Sequence, residues 1–155
     1  MQSYDVTATS AAAPAVVWSL LIDARTWPRW STVDALDLER SSGLDPEGHD
    51  PVGSVRAFRT GRVVTGERLI AIDEGRKLTY ADAFNWVLRD YSAVVDLLPS
   101  PDGGTIIHWY GTFRARWKSG WLMQRVMRAT MQQMADGLAT YATALAAGEP
   151  AERRA

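Results

Sequence analysis

The chain opens on an alternation of period two. In "SYDVTAT" Tyr4, Val6 and Ala8 fall on one side and polar residues on the other, as in a strand with one buried face. The period then lengthens. In "SAAAPAVVWSLLID" Pro14 suits a first helical turn, and Val17, Leu20 and Leu21 share a face. "ARTWPRW" follows, and because a proline disfavours the helical region for the residue before it, Pro28 predicts that Trp27 leaves the helix in a tight aromatic bend. Trp18, Trp27 and Trp30 are expected to plug the junction between these short helices and a sheet. A further strand is expected within "VDALDLER", and "SSGLDPEGHDPVG" is the longest loop signal, its His49 to Pro51 portion a surface loop.

From Gly53 to Trp117 the alternation continues without a helical stretch and predicts five more strands. "RTGR", "DEGR" and "PSPDGG" each place glycine where a hairpin needs positive φ, and "AFNWVLRD" makes a wider break. A long helix is predicted from about Gly120 to Ala146, about 40 Å at 1.5 Å rise per residue. Strands grouped apart from helices imply an α+β domain with an antiparallel sheet.

Period two also assigns faces. On the last strand Ile107, Trp109, Gly111, Phe113, Ala115 and Trp117 point inward, while His108, Tyr110, Thr112, Arg114 and Arg116 point outward. With Tyr91, Ala93, Val95 and Leu97 inward on the preceding strand, Val95 falls opposite Trp109, Asp96 near His108 and Asp90 near Arg114. His108 therefore reads as a surface partner rather than a base. If "DEGR" is a two-residue turn, Asp73 pairs with Arg76, Ala71 with Leu78, Leu69 with Tyr80 and Glu67 with Asp82. Carried through "RTGR", the pairing sets Thr65 opposite Arg56 and Glu67 opposite Ser54, so Arg56, Glu67 and Asp82 share the inner face. It leaves Val64, Ile70 and Ile72 outward; a one-residue slip would bury them and turn Arg68 inward.

Two carboxylates facing each other in a low dielectric need a cation or a proton. One reading is carboxylate chemistry, with Asp82 or Glu67 as acid/base, Arg56 holding a carbonyl oxygen, and Tyr80 or Tyr91 as donor. The other is an Arg56 to Glu67 ion pair closing one end of the sheet, with Asp82 turned to solvent.

"MQRVMRATMQQM" (123–134) holds four of the five methionines. At about 100° per residue, Met123, Met127, Met131, Met134, Leu138, Tyr141 and Leu145 form a stripe about 80° wide, with Arg125, Arg128, Gln132 and Asp136 opposite. The stripe faces protein. Its second half reads as an anchor, and its methionines, unbranched and polarizable, as either core or the deformable wall of a cavity.

Composition narrows the classes. The 155 residues, 46% hydrophobic and 23% charged with net charge -1, suit one domain over 1–147 followed by a flexible polar tail over 148–155. Without cysteine there is no disulfide or thiolate site, and His49 and His108 lie far apart, so neither metal nor cofactor is expected. No nucleophile motif, phosphate loop or dinucleotide fingerprint is present. The N-terminus lacks a leader pattern and no apolar run approaches 18 residues, which implies a cytoplasmic protein without stable membrane insertion. Between Asp102 and Asp136 lie Arg114, Arg116, Lys118, Arg125 and Arg128 with Phe113, Trp117 and Trp121 interleaved. That is the footprint of a nucleic acid or an anionic membrane, but the chain has no basic excess, so the expectation is a solvated face and no nucleic-acid partner.

Four strings, "ATSAAAPAVVWSLLIDARTWPRW", "GSVRAF", "ERLIAIDEGRKLTY" and "GGTIIHWYGTFRA", resemble in order and spacing the helix-grip fold of the START-like (SRPBCC, or Bet v 1-like) superfamily. Within it the chain looks most like the bacterial polyketide cyclase/dehydrase and lipid-transport group. The resemblance implies a curved seven-stranded antiparallel sheet wrapped around the long C-terminal helix, two short helices between strands 1 and 2, and a cavity for an apolar or aromatic small molecule. Tyr80, Tyr91, Val95, Trp109, Phe113, Met123, Met127, Met131 and Met134 are the residues expected to line it. Three functions stay open: carriage of a lipid- or polyketide-like molecule, a cyclase or dehydratase using Asp82, Glu67 and Arg56, and an interaction module marked by Ile70 and Ile72, with a homodimer or another partner on that surface.

Overall fold

A curved antiparallel sheet, in the order β1-β7-β6-β5-β4-β3-β2, carries the fold in a computed structural model that describes residues 1–116 and 118–149. Its strands are β1 (Gln2–Ser10), β2 (Ala35–Leu36), β3 (Val55–Thr60), β4 (Val63–Asp73), β5 (Lys77–Phe84), β6 (Leu88–Pro99) and β7 (Thr105–Ala115). Helices α1 (Pro14–Ile22) and α2 (Trp27–Trp30), joined by a 3₁₀ turn over Ala24–Thr26, lie between β1 and β2, and α3 spans Gly120–Ala146. This is the helix-grip architecture. Trp117, expected to face inward, and most of the expected tail lie outside the described residues.

Trp27 corrects the expectation of a bend. It is helical, with φ -55° and ψ -40°, and Pro28 sits in the first turn of α2, where its missing N–H breaks no helical bond. Trp27, Trp30 and Phe58 pack together, Trp27 stacked on Phe58 with centroids 5.1 Å apart.

The strand pairings show where turn chemistry overrode simple counting. Asp73 pairs with Lys77 rather than Arg76, because Glu74, Gly75 and Arg76 form a three-residue turn with Gly75 at φ 75°. A bulge at Ile70 then shifts the register back, so Leu69 faces Tyr80 and Glu67 faces Asp82 as expected, while Ala71 and Ile72 pair with Thr79 and Leu78. Ile72 thereby turns in against the core, leaving Ile70 outward. In the β3–β4 hairpin the turn is Gly61 and Arg62, which places Arg56 directly opposite Glu67 instead of Thr65. Val95 faces Trp109 and Asp96 faces His108, although the imidazole bonds Asp5 at 2.9 Å. A bulge in β6, with Asp90 at φ 52°, brings Asp90 to 3.4 Å from Arg114.

Helix α3 covers the open edge of the sheet at β1. Gln124 and Gln132 donate to the carbonyls of Ser3 and Thr7 at 2.9 Å each, satisfying acceptors that an exposed edge would offer to another chain. Its buried face holds Met131, Met134, Ala135, Leu138, Ala139 and Ala142. The anchor is thus Leu138 with three alanines, and Tyr141 is half-buried against the same core, because small side chains let the helix approach β1 closely. There Ser10 bonds the carbonyl of Ala139 at 2.9 Å; Leu145 is exposed.

Candidate ligand cavity

Curvature of the sheet leaves a cavity of about 280 Å³ under the first half of α3. The helix contributes Met123, Met127, Thr130, Met131 and Met134. Phe58, Thr65, Glu67, Tyr80 and Tyr91 line it from the sheet, Trp27 and Val33 from the α2–β2 segment, and Asn85, Val87 and Leu88 from the β5–β6 loop and the start of β6. Met131 and Met134 are buried whereas Met123 and Met127 are half-buried, so the methionine wall runs from the core outward. Asn85 Oδ1 accepts from the N–H groups of Val87 and Leu88 at 2.9 Å, shaping the loop there.

The polar end is built on β3 and β4. Arg56, fully buried, donates through Nε (3.0 Å) and Nη2 to Glu67 Oε1, and through Nη1 to the carbonyl of Leu21 at 3.0 Å. Its guanidinium also lies 4.5 Å from the centroid of Trp27. Arg56 therefore does not line the cavity, while Glu67 does. Burial pushes the Glu67 carboxyl above its ordinary value, against the opposing charge and hydrogen bonds of Arg56.

Beside it runs a chain of hydroxyls. Trp109 Nε1 donates to Tyr80 Oη at 3.0 Å, Tyr80 and Tyr91 share a hydrogen bond at 3.2 Å, and Tyr91 and Tyr4 share one at 2.6 Å. Burial, with the neighbouring hydroxyls, raises all three phenols, so each stays protonated and able to donate.

Six of the expected lining residues, Tyr80, Tyr91, Met123, Met127, Met131 and Met134, come together here with Glu67, expected as an acid/base group. Val95, Trp109 and Phe113 do not: they are fully buried core residues, with Trp109 reaching the site only through Tyr80. Asp82 is half-buried, accepts from the Tyr91 N–H at 3.4 Å, and does not line the cavity. Sequence reasoning missed the polar Thr65, Asn85 and Thr130 and the apolar Val33, Phe58, Val87 and Leu88, and also Tyr4, which reaches the site through Tyr91. For Tyr4 a signal existed, since Gly111 stands opposite it and a Cβ there would meet Tyr4 Oη at 2.8 Å.

A larger polar groove of about 670 Å³ lies between the α2–β2 segment and α3, lined by Arg29, Asp34, Gln133 and Asp136 among others; it shares Val33 with the cavity but none of its tyrosines, its glutamate or its methionines. Among the described residues no cluster of His, Asp and Glu could hold a metal, and no helix is long and apolar enough to cross a membrane.

A family model described as polyketide cyclase / dehydrase and lipid transport matches residues 1–143. Similar solved structures include a protein from Thermobifida fusca (25% identity, TM-score 0.76, covering 94% of this chain and 95% of that one). A START superfamily protein from Mycobacterium smegmatis shares the fold at 11% identity and TM-score 0.74, over 96% and 99% of the two chains. The protein XoxI from Bacillus cereus does so at 17% and 0.72, over 90% and 94%. None of the curated proteins matches the chain. Family and fold together support a hydrophobic ligand-binding role.

Proposed function

Because the chain belongs to the polyketide cyclase / dehydrase and lipid transport family, we propose that it binds one small apolar or aromatic molecule carrying an oxygen at one end. The observation that carries this reading is the asymmetry of the lining. Four methionines form one wall, and Tyr80, Tyr91 and Glu67 gather polar atoms on the other. Flexible thioethers accept varied shapes, while the phenols and the carboxyl orient a carbonyl or hydroxyl. The volume of about 280 Å³ lies at the lower end for ligand pockets, which favours a compact ring system or a single short chain over a two-tailed lipid. Solvent extraction of protein purified from its native host, followed by mass spectrometry, tests this. A bound apolar molecule is expected; an empty protein that also takes up no apolar fluorescent probe removes the reading.

Acid/base turnover of a poly-ketone is a second reading, and one observation favours it: Glu67 lines the cavity with its carboxyl raised by burial. On this reading Glu67 exchanges a proton with the bound carbonyl compound, Tyr91 donates to its oxygen, and Arg56 holds Glu67 in place. Glu67→Asp, which keeps the carboxyl but withdraws it, lowers turnover while probe binding persists. Equal turnover in variant and parent leaves carriage alone.

A further inference from the structure

The apolar cavity and the polar groove adjoin. Val33, half-buried, lines both. On α3, Thr130 and Met134 line the cavity while Gln133 and Gly137 line the groove, two rows offset by three residues and so side by side on the helix surface. On α2 the same division falls between Trp27 in the cavity and Trp30 in the groove, their ring centroids 4.7 Å apart. The two spaces therefore meet at Val33.

The groove's lining holds hydrogen-bonding groups of both kinds. A Cβ at Gly137 would collide with the Trp30 carbonyl oxygen, so α3 and the end of α2 touch through backbone and leave the space to polar side chains. Arg29 and Gln133 are exposed donors with no hydrogen-bond or ion-pair partner among the described residues. Asp136, also exposed, accepts from Gln132 at 3.0 Å through Oδ1 alone, which keeps Oδ2 as an acceptor. Asp34, which accepts from the Gly61 N–H at 2.7 Å, adds a second carboxylate to the lining. With two carboxylates against one guanidinium, an anionic group is repelled, and an ammonium would face Arg29. A polyol suits the set, since its hydroxyls donate to the carboxylates and accept from Arg29 and Gln133.

We propose that the groove holds an uncharged, polyhydroxylated, sugar-like head group of a ligand whose apolar part lies in the adjoining cavity, the two parts joined past Val33. The inference rests on the reading of the cavity given above and adds that its ligand is an amphiphile. The cavity then selects the apolar part by shape, and the groove selects the head by its hydroxyls. A purely apolar molecule fills the first space only and gains nothing from the second.

The test is titration calorimetry of the full chain with n-octanol and with n-octyl β-D-glucoside below its micelle concentration, which share a tail and differ in the head. The glucoside is expected to bind about tenfold tighter, as one hydrogen bond to a charged group contributes, and to displace N-phenylnaphthylamine from the cavity. Gln133→Ala with Asp136→Ala, both at exposed positions, should bring the glucoside to the affinity of octanol and leave octanol unchanged. Far-UV circular dichroism should not change. Octanol binding with no advantage for the glucoside overturns the head-group site and leaves the cavity reading standing, even if the variant fails to fold. So does tighter binding of octylamine or octyl phosphate than of the glucoside, or glucoside binding that leaves the naphthylamine in place. If octanol, glucoside and naphthylamine all fail to bind, the cavity reading and this inference fall together.

Discussion

Arg56 and Glu67 stand directly opposite on β3 and β4, and one carboxylate oxygen receives both Nε and Nη2 of the guanidinium. The two halves of this pair differ in how they respond to loss of the other. Arg56 is fully buried and cannot shed its proton, so Glu67→Gln strands a charge, with an expected cost of about 3–5 kcal/mol. Arg56→Met should cost less. Glu67 can take up a proton, and the Leu21 carbonyl still accepts from Trp27 Nε1 at 3.1 Å. Urea unfolding of both variants checks the order.

Glu67 also predicts a pH dependence. Its native pKa is raised above the ordinary 4.5, so between the two values the native state holds a proton that the unfolded chain has released, while above the native value Glu67 is the carboxylate that pairs with Arg56. That contribution is fully present below the unfolded value and is lost as pH rises through the native one. Urea midpoints measured upward in pH from the ordinary carboxylate value should show the parent losing this contribution. The slope should be absent from Arg56→Met/Glu67→Gln, which lacks both charges.

Tyr80→Phe tests the hydroxyl chain at its buried end. The substitution leaves Trp109 Nε1, in a fully buried side chain, without its acceptor, and should cost about 1–3 kcal/mol. Tyr91→Phe should cost less, because Tyr91 is half-buried where Tyr80 is buried, so water can more readily replace its hydroxyl. Thermal unfolding followed by circular dichroism separates the two.

Met127→Leu with Met131→Leu conserves volume and should change stability by less than about 1.5 kcal/mol. It replaces a pliable wall with a fixed one, so the panel of apolar probes bound should narrow. A panel of unchanged breadth would assign these methionines to packing alone.

Gly137 marks where α3 passes the end of α2. A Cβ there would collide with the Trp30 carbonyl oxygen, which is backbone and cannot swing aside. Gly137→Ala, ordinarily favourable by about 1 kcal/mol in a helix interior, is therefore expected to destabilise, visible as a lowered midpoint in thermal unfolding.

Much of the fold was legible along the chain. Period two on β1, β6 and β7 assigned inner and outer faces correctly, and helical spacing placed Gly120 to Ala146 in a single helix with its methionines toward protein. Glu67, Tyr80 and Tyr91 followed from the same alternation, because side-chain direction is a property of the local backbone. What lay beyond the sequence depended on distance. Two deviations, the longer turn at Gly75 and the bulge at Ile70, cancelled and kept Leu69 opposite Tyr80, yet they turned Ile72 inward.

Whether an inward residue meets a cavity or a neighbour is not local either. Val95, Trp109 and Phe113 point the right way but are covered, while Asn85 and Thr130 reach the opening from elements far apart in the chain. The sequence by itself determined the elements, their faces and the family of shapes they form. The tertiary structure alone decided which inward side chains stay uncovered, because that depends on how closely α3 approaches the sheet: tightly over Ala135, Ala139 and Ala142, and with space left beneath Met123 and Met127.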